Sequence, residues 1–271
     1  GVGNEIGNQW WYQAIYSIVF TQVEANYTNK INVNGIYYNI TSQSEKTVQV
    51  SYKGNSYDEY SYEYSGKVII PQTITYFGYT YTVTSIEEYS FYYCTGITSV
   101  STPSTITEIG NNAFSNCTSL KSIERPDTVQ TIGEYAFAGC KNLRQLPNFS
   151  DRITIEEGAF QDCINLTNIP PLKKVAKKTF EGCTGITSIP TSIEEIEEEA
   201  FLNCTGLKEI TITTKLKYIG KDAFKGCPLE KINISLNVKY LFDSLNNSTN
   251  LTHYTVQGIP FKKINGKVDF N

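Results

Sequence analysis

Cysteine is the residue type of this chain with the most reactive side chain, and it recurs at a fixed spacing. Each of the seven cysteines lies three residues after a phenylalanine. A thiol can form a disulfide, bind a metal ion or act as a nucleophile, so this spacing needs a chemical explanation. The pairs are Phe91/Cys94, Phe114/Cys117, Phe137/Cys140, Phe160/Cys163, Phe180/Cys183, Phe201/Cys204 and Phe224/Cys227.

The arrangement of these cysteines favours an inert role. An odd number of thiols does not suit a disulfide framework, and the lack of Cys-x-x-Cys does not suit a zinc site. Stacked cysteines would lie about 5 Å apart and point the same way, whereas a disulfide needs Cβ atoms about 3.8 Å apart. We predict a ladder of buried thiols beside a ladder of phenylalanine rings. Disulfides between neighbouring repeats and a metal or redox role are the alternatives.

Other residues offer little support for catalysis. His253 is the only histidine, and no serine or cysteine motif pairs with it in the sequence. The acidic run 194–199 suggests a cation site, but it is more simply the solvated side of one repeat with Ile196 turned inward. We therefore expect a protein without enzymatic activity, without a cofactor and without a bound metal.

The elements that carry the Phe/Cys pairs are internal repeats. From one phenylalanine to the next the steps are 23, 23, 23, 20, 21 and 23 residues, which is the period of a solenoid. The shared frame is I-G-x-x-A-F-x-x-C-x-x-L-x-x-I, as in 109–123 and 132–146. In each unit the L-x-x-I pair predicts a short parallel strand, and a second apolar pair such as Ile106/Ile109 predicts the opposite wall of the coil.

This frame resembles the BspA-like leucine-rich repeat family of bacterial and protozoan cell-surface proteins. The resemblance covers residues 84–235 and implies a mainly β, or α/β, repeat solenoid that coils to the right around parallel strands. It also implies a secreted or surface-exposed protein that binds host matrix proteins or other microbes.

The repeats occupy only part of the chain. Sixteen of the twenty tyrosines lie in residues 1–93, which marks a different N-terminal module. Short β-rich runs separated by turn residues predict a small antiparallel cap over residues 31–84. We expect an N-terminal segment at 1–30, with a helix around 9–25, seven repeats at 85–235, and a C-terminal cap at 236–271.

Charge and hydropathy exclude some classes of protein. The net charge is −4 and the basic residues are scattered, which argues against binding to nucleic acid. The longest apolar stretch, 10–20, is too short to cross a membrane. The lack of any methionine suggests a processed chain whose export signal has been removed. We expect a monomer.

Binding would then use the protein surface. The outward positions of the L-x-x-I strands are expected to form one continuous polar face that binds an extracellular or surface protein. A carbohydrate-binding module built on Trp10, Trp11, Tyr57, Tyr60, Tyr62 and Tyr64 is a second hypothesis, and an inert spacer is a third. The positions of the face are Ser99, Ser122, Glu124, Gln145, Asn168, Ser188, Glu209, Thr211 and Lys231.

Overall fold

The computed structural model describes residues 30–54, 56–57, 64–124, 127–147, 149, 152–234, 253–256, 259–264 and 267–268. The predicted helix around 9–25 lies outside these residues. Within them the secondary structure consists of strands and turns, without a helix. The strands are β1 (Ile31–Val33), β2 (Ile36–Ser42), β3 (Thr47–Ser51), β4 (Ser65–Ile69), β5 (Thr73–Tyr76), β6 (Tyr79–Ile86), β7 (Gly96–Ser101), β8 (Glu108–Ile109), β9 (Ser122–Glu124), β10 (Thr131–Ile132), β11 (Thr154–Ile155), β12 (Lys174–Val175), β13 (Glu195–Ile196), β14 (Glu209–Ile212), β15 (Tyr218–Ile219), β16 (Lys231–Ile234), β17 (His253–Val256), β18 (Ile259–Ile264) and β19 (Lys267–Val268).

The chain folds as a solenoid in which each repeat makes one coil. The first wall of the coil is formed by parallel strands that precede each turn, beginning with the end of β6 and continuing with two-residue strands. Ile109 of β8 pairs with Ile132 of β10, and Ile132 pairs with Ile155 of β11. A second group, β12, β13 and β15, continues this wall after a break at the shortest repeat. The inward isoleucine or valine of every one of these strands is buried, which gives the coil one side of its core.

The second wall is formed by the L-x-x-I segments. The parallel strands β4, β7 and β9 build it near the N-terminus, and β14, β16 and β17 build it near the C-terminus. Val100 pairs with Ile123 in the first group, and Ile210 pairs with Ile232 in the second group. These side chains are buried and face the first wall.

Proline interrupts this second wall. The segments around Leu143, Leu166 and Ile186 are described but form no strand, so the expectation of a strand in every repeat is wrong. In these three repeats the residue after L-x-x-I is Pro147, Pro170 or Pro190, whereas the strand-forming repeats have Ser101, Glu124, Thr211 and Asn233 there. Proline lacks the N–H that a parallel ladder needs, which explains the gap.

A turn carrying the Phe/Cys pair joins the first wall to the second. Its backbone links the coils directly, because Phe114 N–H donates to the carbonyl of Ala136 at 2.7 Å and Asn116 N–H donates to that of Ala138 at 2.7 Å. Two residues of each turn have a left-handed backbone, one two positions before the phenylalanine and one two positions after it. The second of these is glycine, asparagine or aspartate in every repeat except the first, where it is Tyr93.

The glycine of the I-G pair is not required by a tight turn of the backbone. At Gly110 the backbone is not left-handed, but an added Cβ would lie 2.6 Å from the backbone nitrogen of Glu88 in the preceding coil. This residue is therefore glycine because two backbones approach closely.

The N-terminal strands extend the solenoid as well as covering it. β1, β2 and β3 form the expected antiparallel arrangement, and β5 pairs antiparallel with β6. However, β3 pairs parallel with β6 and β4 pairs parallel with β7. The prediction of a purely antiparallel cap is wrong in this respect, because these two strands add a coil that lacks the A-F-x-x-C turn.

The C-terminal strands also extend the repeats. β17 pairs parallel with β16, with His253 opposite Lys231 at a separation of 22 residues. β18 and β19 then follow in antiparallel fashion. A degenerate last coil is thus followed by a short antiparallel end.

Candidate binding surfaces

The predicted face is divided into two strand patches. The N-terminal patch consists of Ser99, Ser122 and Glu124 on β7 and β9, all of them half-buried. Lys67 of β4 reaches across β7 and forms an ion pair with Glu124 at 2.8 Å. Both side chains of this pair remain more than two-fifths exposed, so the patch presents a dipole of one cation and one anion to solvent.

The C-terminal patch consists of Glu209, Thr211 and Lys231 on β14 and β16, and all three are exposed. Glu209 accepts hydrogen bonds from Lys231 Nζ at 2.8 Å and from Asn233 Nδ2 at 2.7 Å. These two donors, the lysine first, lower the pKa of the Glu209 carboxyl. The patch therefore keeps a fixed negative charge beside a fixed positive one.

The three middle positions lie in loops between these patches. Gln145, Asn168 and Ser188 are exposed but belong to the proline-containing repeats. The Asn168 side chain replaces a missing ladder contact, since its Oδ1 accepts from Leu146 N–H at 3.0 Å and its Nδ2 donates to the Leu146 carbonyl at 3.4 Å. The expectation of one continuous strand face is wrong, and Asn168 has a structural contact that competes with any ligand.

The phenylalanines form one stack along the core. Neighbouring ring centroids are separated by 4.9 Å to 5.8 Å, with interplanar angles between 2° and 16°. The widest spacing, 5.8 Å, lies between Phe160 and Phe180, where the repeat is shortest. Tyr64 ends the stack at 4.9 Å from Phe91 in an edge-to-face contact. Such contacts add to the burial energy of each ring.

The seven cysteines lie beside this stack as buried thiols, and none of them forms a disulfide. Six of them contact the preceding coil in the same way, because each thiol donates to the backbone carbonyl of the phenylalanine one coil earlier. The Sγ–O distances are 3.0 Å for Cys117 to Phe91, 3.2 Å for Cys140 to Phe114, 3.2 Å for Cys163 to Phe137, 3.1 Å for Cys183 to Phe160, 3.0 Å for Cys204 to Phe180 and 3.1 Å for Cys227 to Phe201.

Cys94 differs from the other six cysteines. Its side chain is buried, with 2% of it exposed, but it belongs to the first turn of the A-F-x-x-C type. The segment between β3 and β4, one coil earlier, contains no phenylalanine. Cys94 is thus buried at the point where the repeat begins.

Burial makes the thiols of the ladder poor nucleophiles. It raises the pKa of Cys140 and of Cys183 far above that of a free thiol. At neutral pH the reactive thiolate is therefore not populated at these two sites. Across the part of the chain that the structure describes, histidine, cysteine, aspartate and glutamate side chains form no group of three that could hold a metal ion.

Three of the five glutamates in the acidic run 194–199, namely Glu194, Glu197 and Glu199, pair with lysines of the neighbouring coils. Glu197 pairs with Lys174 at 2.6 Å, and Glu199 pairs with Lys178 at 3.5 Å. Ile196 is fully buried between these carboxylates. The run is one solvated wall of a coil whose charges stabilise contacts between repeats.

A tyrosine cluster marks the first coil. Tyr57 stacks on Tyr89 with the ring centroids 4.0 Å apart, and Tyr92 meets both rings edge-on. Tyr93 packs against Tyr92 at 4.6 Å. Tyr89 and Tyr93 both have a left-handed backbone, which is unfavourable for a bulky side chain, and Tyr57 is 37% exposed. Of the other predicted aromatic residues, Trp10, Trp11, Tyr60 and Tyr62 lie outside the described residues, and Tyr64 packs on the core.

Comparison with protein families accounts for this architecture. The model of the BspA type leucine-rich repeat region matches residues 71–187 and 173–268 with six copies. The chain belongs to the BspA-type leucine-rich repeat family. No protein of curated function shows significant sequence similarity to it.

Solved structures of leucine-rich repeat proteins share this fold. A leucine-rich cell surface protein from Faecalibacterium prausnitzii is 27% identical, with a TM-score of 0.61, and the match covers 90% of this chain and 60% of that one. A leucine-rich repeat protein from Bacteroides ovatus is 24% identical, with a TM-score of 0.57 over 83% and 70% of the two chains. The T. pallidum leucine-rich repeat protein is 23% identical, with a TM-score of 0.59 over 73% and 89%. The chain thus spans 60% of the length of the F. prausnitzii protein.

Two features of this BspA-type solenoid were missed by reasoning from the sequence. The thiol was expected to act only as a small apolar group, but it also donates a hydrogen bond between coils. The loss of strands in the middle repeats had a visible signal, namely proline directly after L-x-x-I.

In the described part of the chain no helical segment is present that would be long and apolar enough to traverse a bilayer.

Proposed function

We propose that this chain is a secreted or cell-surface protein that acts as a monomer and binds another protein through its two strand patches. The observation that carries this proposal is the pair of solvent-accessible Lys–Glu contacts, Lys67–Glu124 and Lys231–Glu209, in the two strand patches at the two ends of the second wall. A rigid surface loses little conformational entropy on binding, and fixed charges select the orientation of a partner.

The family and the neighbouring structures support this role. The family match supports a role in protein interaction, and the F. prausnitzii protein of the same fold is a cell surface protein. Adhesion to matrix proteins or to other cells is the activity that we assign to the patches. The buried thiols, with pKa values raised by desolvation, favour binding over catalysis.

We also propose that the chain is divided into an N-terminal segment at 1–30, a cap at 31–84, the repeats at 85–235 and a C-terminal cap at 236–271.

The test is binding of the purified chain to an array of matrix glycoproteins and glycans. We expect a saturable protein hit that is weakened at least about tenfold when Glu209→Lys and Glu124→Lys are combined, since each change places like charges side by side. Glu198→Lys is the matched control, because Glu198 is exposed in the turn after β13 and lies outside both patches. Equal loss with the control, or no protein hit, would favour an inert spacer.

A second candidate function is carbohydrate binding by the tyrosine cluster. It is favoured by the exposed ring of Tyr57 and by the strained backbone of Tyr89 and Tyr93. Glycan hits on the same array that Tyr57→Ala removes, and that the two charge reversals do not affect, would support this function. Glycan binding unaffected by Tyr57→Ala would exclude the cluster.

A further inference from the structure

Among the described strands, the first wall is interrupted at one junction, between the fourth repeat, which carries β11, and the fifth, which carries β12. β11 pairs with β10 and β12 pairs with β13, but β11 and β12 do not pair with each other. In the junction before the interruption, Glu156 N–H donates to the Ile132 carbonyl at 3.0 Å. The corresponding groups one coil later, Ala176 N–H and the Ile155 carbonyl, form no such bond.

The second wall does not replace the missing ladder at this junction. Its segments around Leu166 and Ile186 form no strand, and each ends at a proline, Pro170 or Pro190. Within the continuously described stretch 152–234, the backbone hydrogen bonds between the two coils all join residues 158–162 to residues 177–181. These residues belong to the turns, so the two coils are tied along one edge and not along either wall.

The tied edge, formed by residues 158–162 and 177–181, is closely packed. Three N–H groups of the fourth turn donate to carbonyls of the fifth at 2.7–3.0 Å, namely Gly158 to Lys177, Phe160 to Thr179 and Asp162 to Glu181. The thiol of Cys183 also reaches back to the Phe160 carbonyl at 3.1 Å. A line of strong contacts along one edge, beside two walls without backbone hydrogen bonds between the coils, is the geometry of a hinge.

The short repeat explains why the walls separate here. The step from Phe160 to Phe180 is 20 residues, against 23 in most of the other repeats. The connection from the second wall back to the first contains Pro170 followed by Pro171. Proline has a fixed φ and no N–H, so this connection is stiff and cannot form ladder hydrogen bonds of its own.

Two further observations mark the same junction. Ile155 is 8% exposed, whereas the corresponding residues of the adjacent first-wall strands, Ile132 and Val175, are 0% and 1% exposed. The rings of Phe160 and Phe180 are 5.8 Å apart, which is the widest step in the phenylalanine stack. The core therefore continues across the junction, but it is packed less tightly there.

We propose that the solenoid bends at this junction, with the tied edge as the hinge axis and β11 and β12 moving apart or together. The far side of the coil lies about 10 Å from the axis, so a tilt of about 10° changes the gap by less than about 2 Å. A gap of this size does not admit water, and the apolar side chains stay buried during the motion.

Bending would change the relation between the two strand patches. Glu124 belongs to the second repeat and Glu209 to the sixth, so the hinge lies between them. A tilt reorients one patch against the other, which lets the chain adapt to partner surfaces of different curvature. This consequence rests on the proposed binding function, whereas the hinge itself does not.

The test measures distances between two nitroxide labels in the free, full chain by pulsed electron paramagnetic resonance. Labels at Glu108→Cys and Glu195→Cys span four junctions, one of which is the interrupted one. Labels at Gln49→Cys and Thr154→Cys span four junctions that all carry paired strands, and they are the matched control. The native cysteines are buried, so the labels attach to the introduced ones. We expect the distance distribution to be at least about twofold wider for the first pair.

Hydrogen exchange provides a second measurement that needs no label. The amides of Glu156 and Ala176 occupy the same position in successive repeats, but only that of Glu156 is bonded to the preceding coil. We expect the protection factor to be at least about tenfold lower at Ala176.

Both measurements are made without a partner protein, so a failure of the patches to bind leaves their outcome unchanged. Equal widths for the two label pairs would overturn the proposal, even with low protection at Ala176, because the junction would then be a rigid offset. Protection factors at Glu156 and Ala176 within about twofold of each other would also overturn it, because the walls would then be closed in solution.

Discussion

The thiol of Cys140 donates a hydrogen bond to the backbone carbonyl of Phe114, one coil earlier, at 3.2 Å. The same carbonyl accepts the N–H of Cys117 within its own turn at 3.0 Å. One carbonyl therefore closes the turn and holds the next coil. This double use explains why cysteine, rather than alanine, follows phenylalanine in these repeats, since alanine has no donor.

Substitutions of Cys140 test this contact. Cys140→Ala removes the donor and leaves a small cavity, so we expect the free energy of unfolding to fall by about 1–2 kcal/mol. Cys140→Asp places a carboxylate in the stacked core, and we expect a loss of at least about 4 kcal/mol. Urea unfolding followed by circular dichroism measures both values. Equal losses for the two variants would contradict a buried ladder.

The raised thiol pKa values predict a loss of stability at alkaline pH. In the unfolded chain a cysteine ionises around pH 8.5, whereas burial keeps thiols such as Cys140, Cys163 and Cys183 protonated in the folded chain. The folded state then binds more protons than the unfolded state, so stability is complete below this pH and falls above it. Each such thiol contributes about 1.4 kcal/mol per pH unit once the unfolded chain is ionised.

Urea midpoints at pH 7, 9 and 10 measure this dependence. Cys140→Ala serves as the control, because it should reduce the slope by the contribution of one proton. In parallel, a thiol reagent at pH 8 should react with the described cysteines only after denaturant is added. Rapid labelling of the folded chain would contradict the predicted burial.

Close contact between coils predicts that Gly110→Ala is destabilising. The new Cβ would lie 2.6 Å from the backbone nitrogen of Glu88, and backbone atoms cannot move aside as a flexible side chain can. We expect a loss of about 1–3 kcal/mol in the free energy of unfolding. Glu156→Ala, at the same position of a repeat that already carries a side chain, should change it by less than about 0.5 kcal/mol. A neutral Gly110→Ala would show that the two backbones can separate without cost.

The cap is held to the first repeat by a polar cluster around Glu87. Its carboxylate accepts hydrogen bonds from Asn39 Nδ2 at 2.9 Å and from the hydroxyl of Ser51, which is fully buried. Glu87→Ala would leave both donors without this acceptor, and we expect a loss of about 1–3 kcal/mol. Hydrogen exchange should accelerate first in β2 and β3. The neighbouring exposed Glu88→Ala is the control, and an equal effect of both variants would contradict the role of the cluster.

The sequence predicted the coil well because the phenylalanines of the repeats, beginning with Phe91, are separated by nearly constant numbers of residues. Such regular spacing indicates that each phenylalanine occupies the same position in its coil. The sequence also predicted the inward residues of both walls, such as Ile109 and Ile123. The acceptor of Cys140 was not predictable, since it depends on the stagger between neighbouring coils. β4 was recognised as β-rich but not as a parallel continuation of the solenoid, because its coil lacks the A-F-x-x-C signature. The division of the binding face followed from Pro147, Pro170 and Pro190, whose missing N–H matters only once the strands are known to pair there.

The direction of the contacts between coils has a mechanical consequence. Hydrogen bonds such as those from Phe114 to Ala136 and from Cys140 to Phe114 run along the axis of the solenoid, so tension applied at its two ends pulls on them lengthwise, and the weakest junction opens first. A stretched molecule would therefore yield in nearly equal steps, each releasing one turn of the coil and roughly 75 Å of chain. On a cell surface such stepwise yielding would absorb a sudden load as length, while the remaining coils keep their shape.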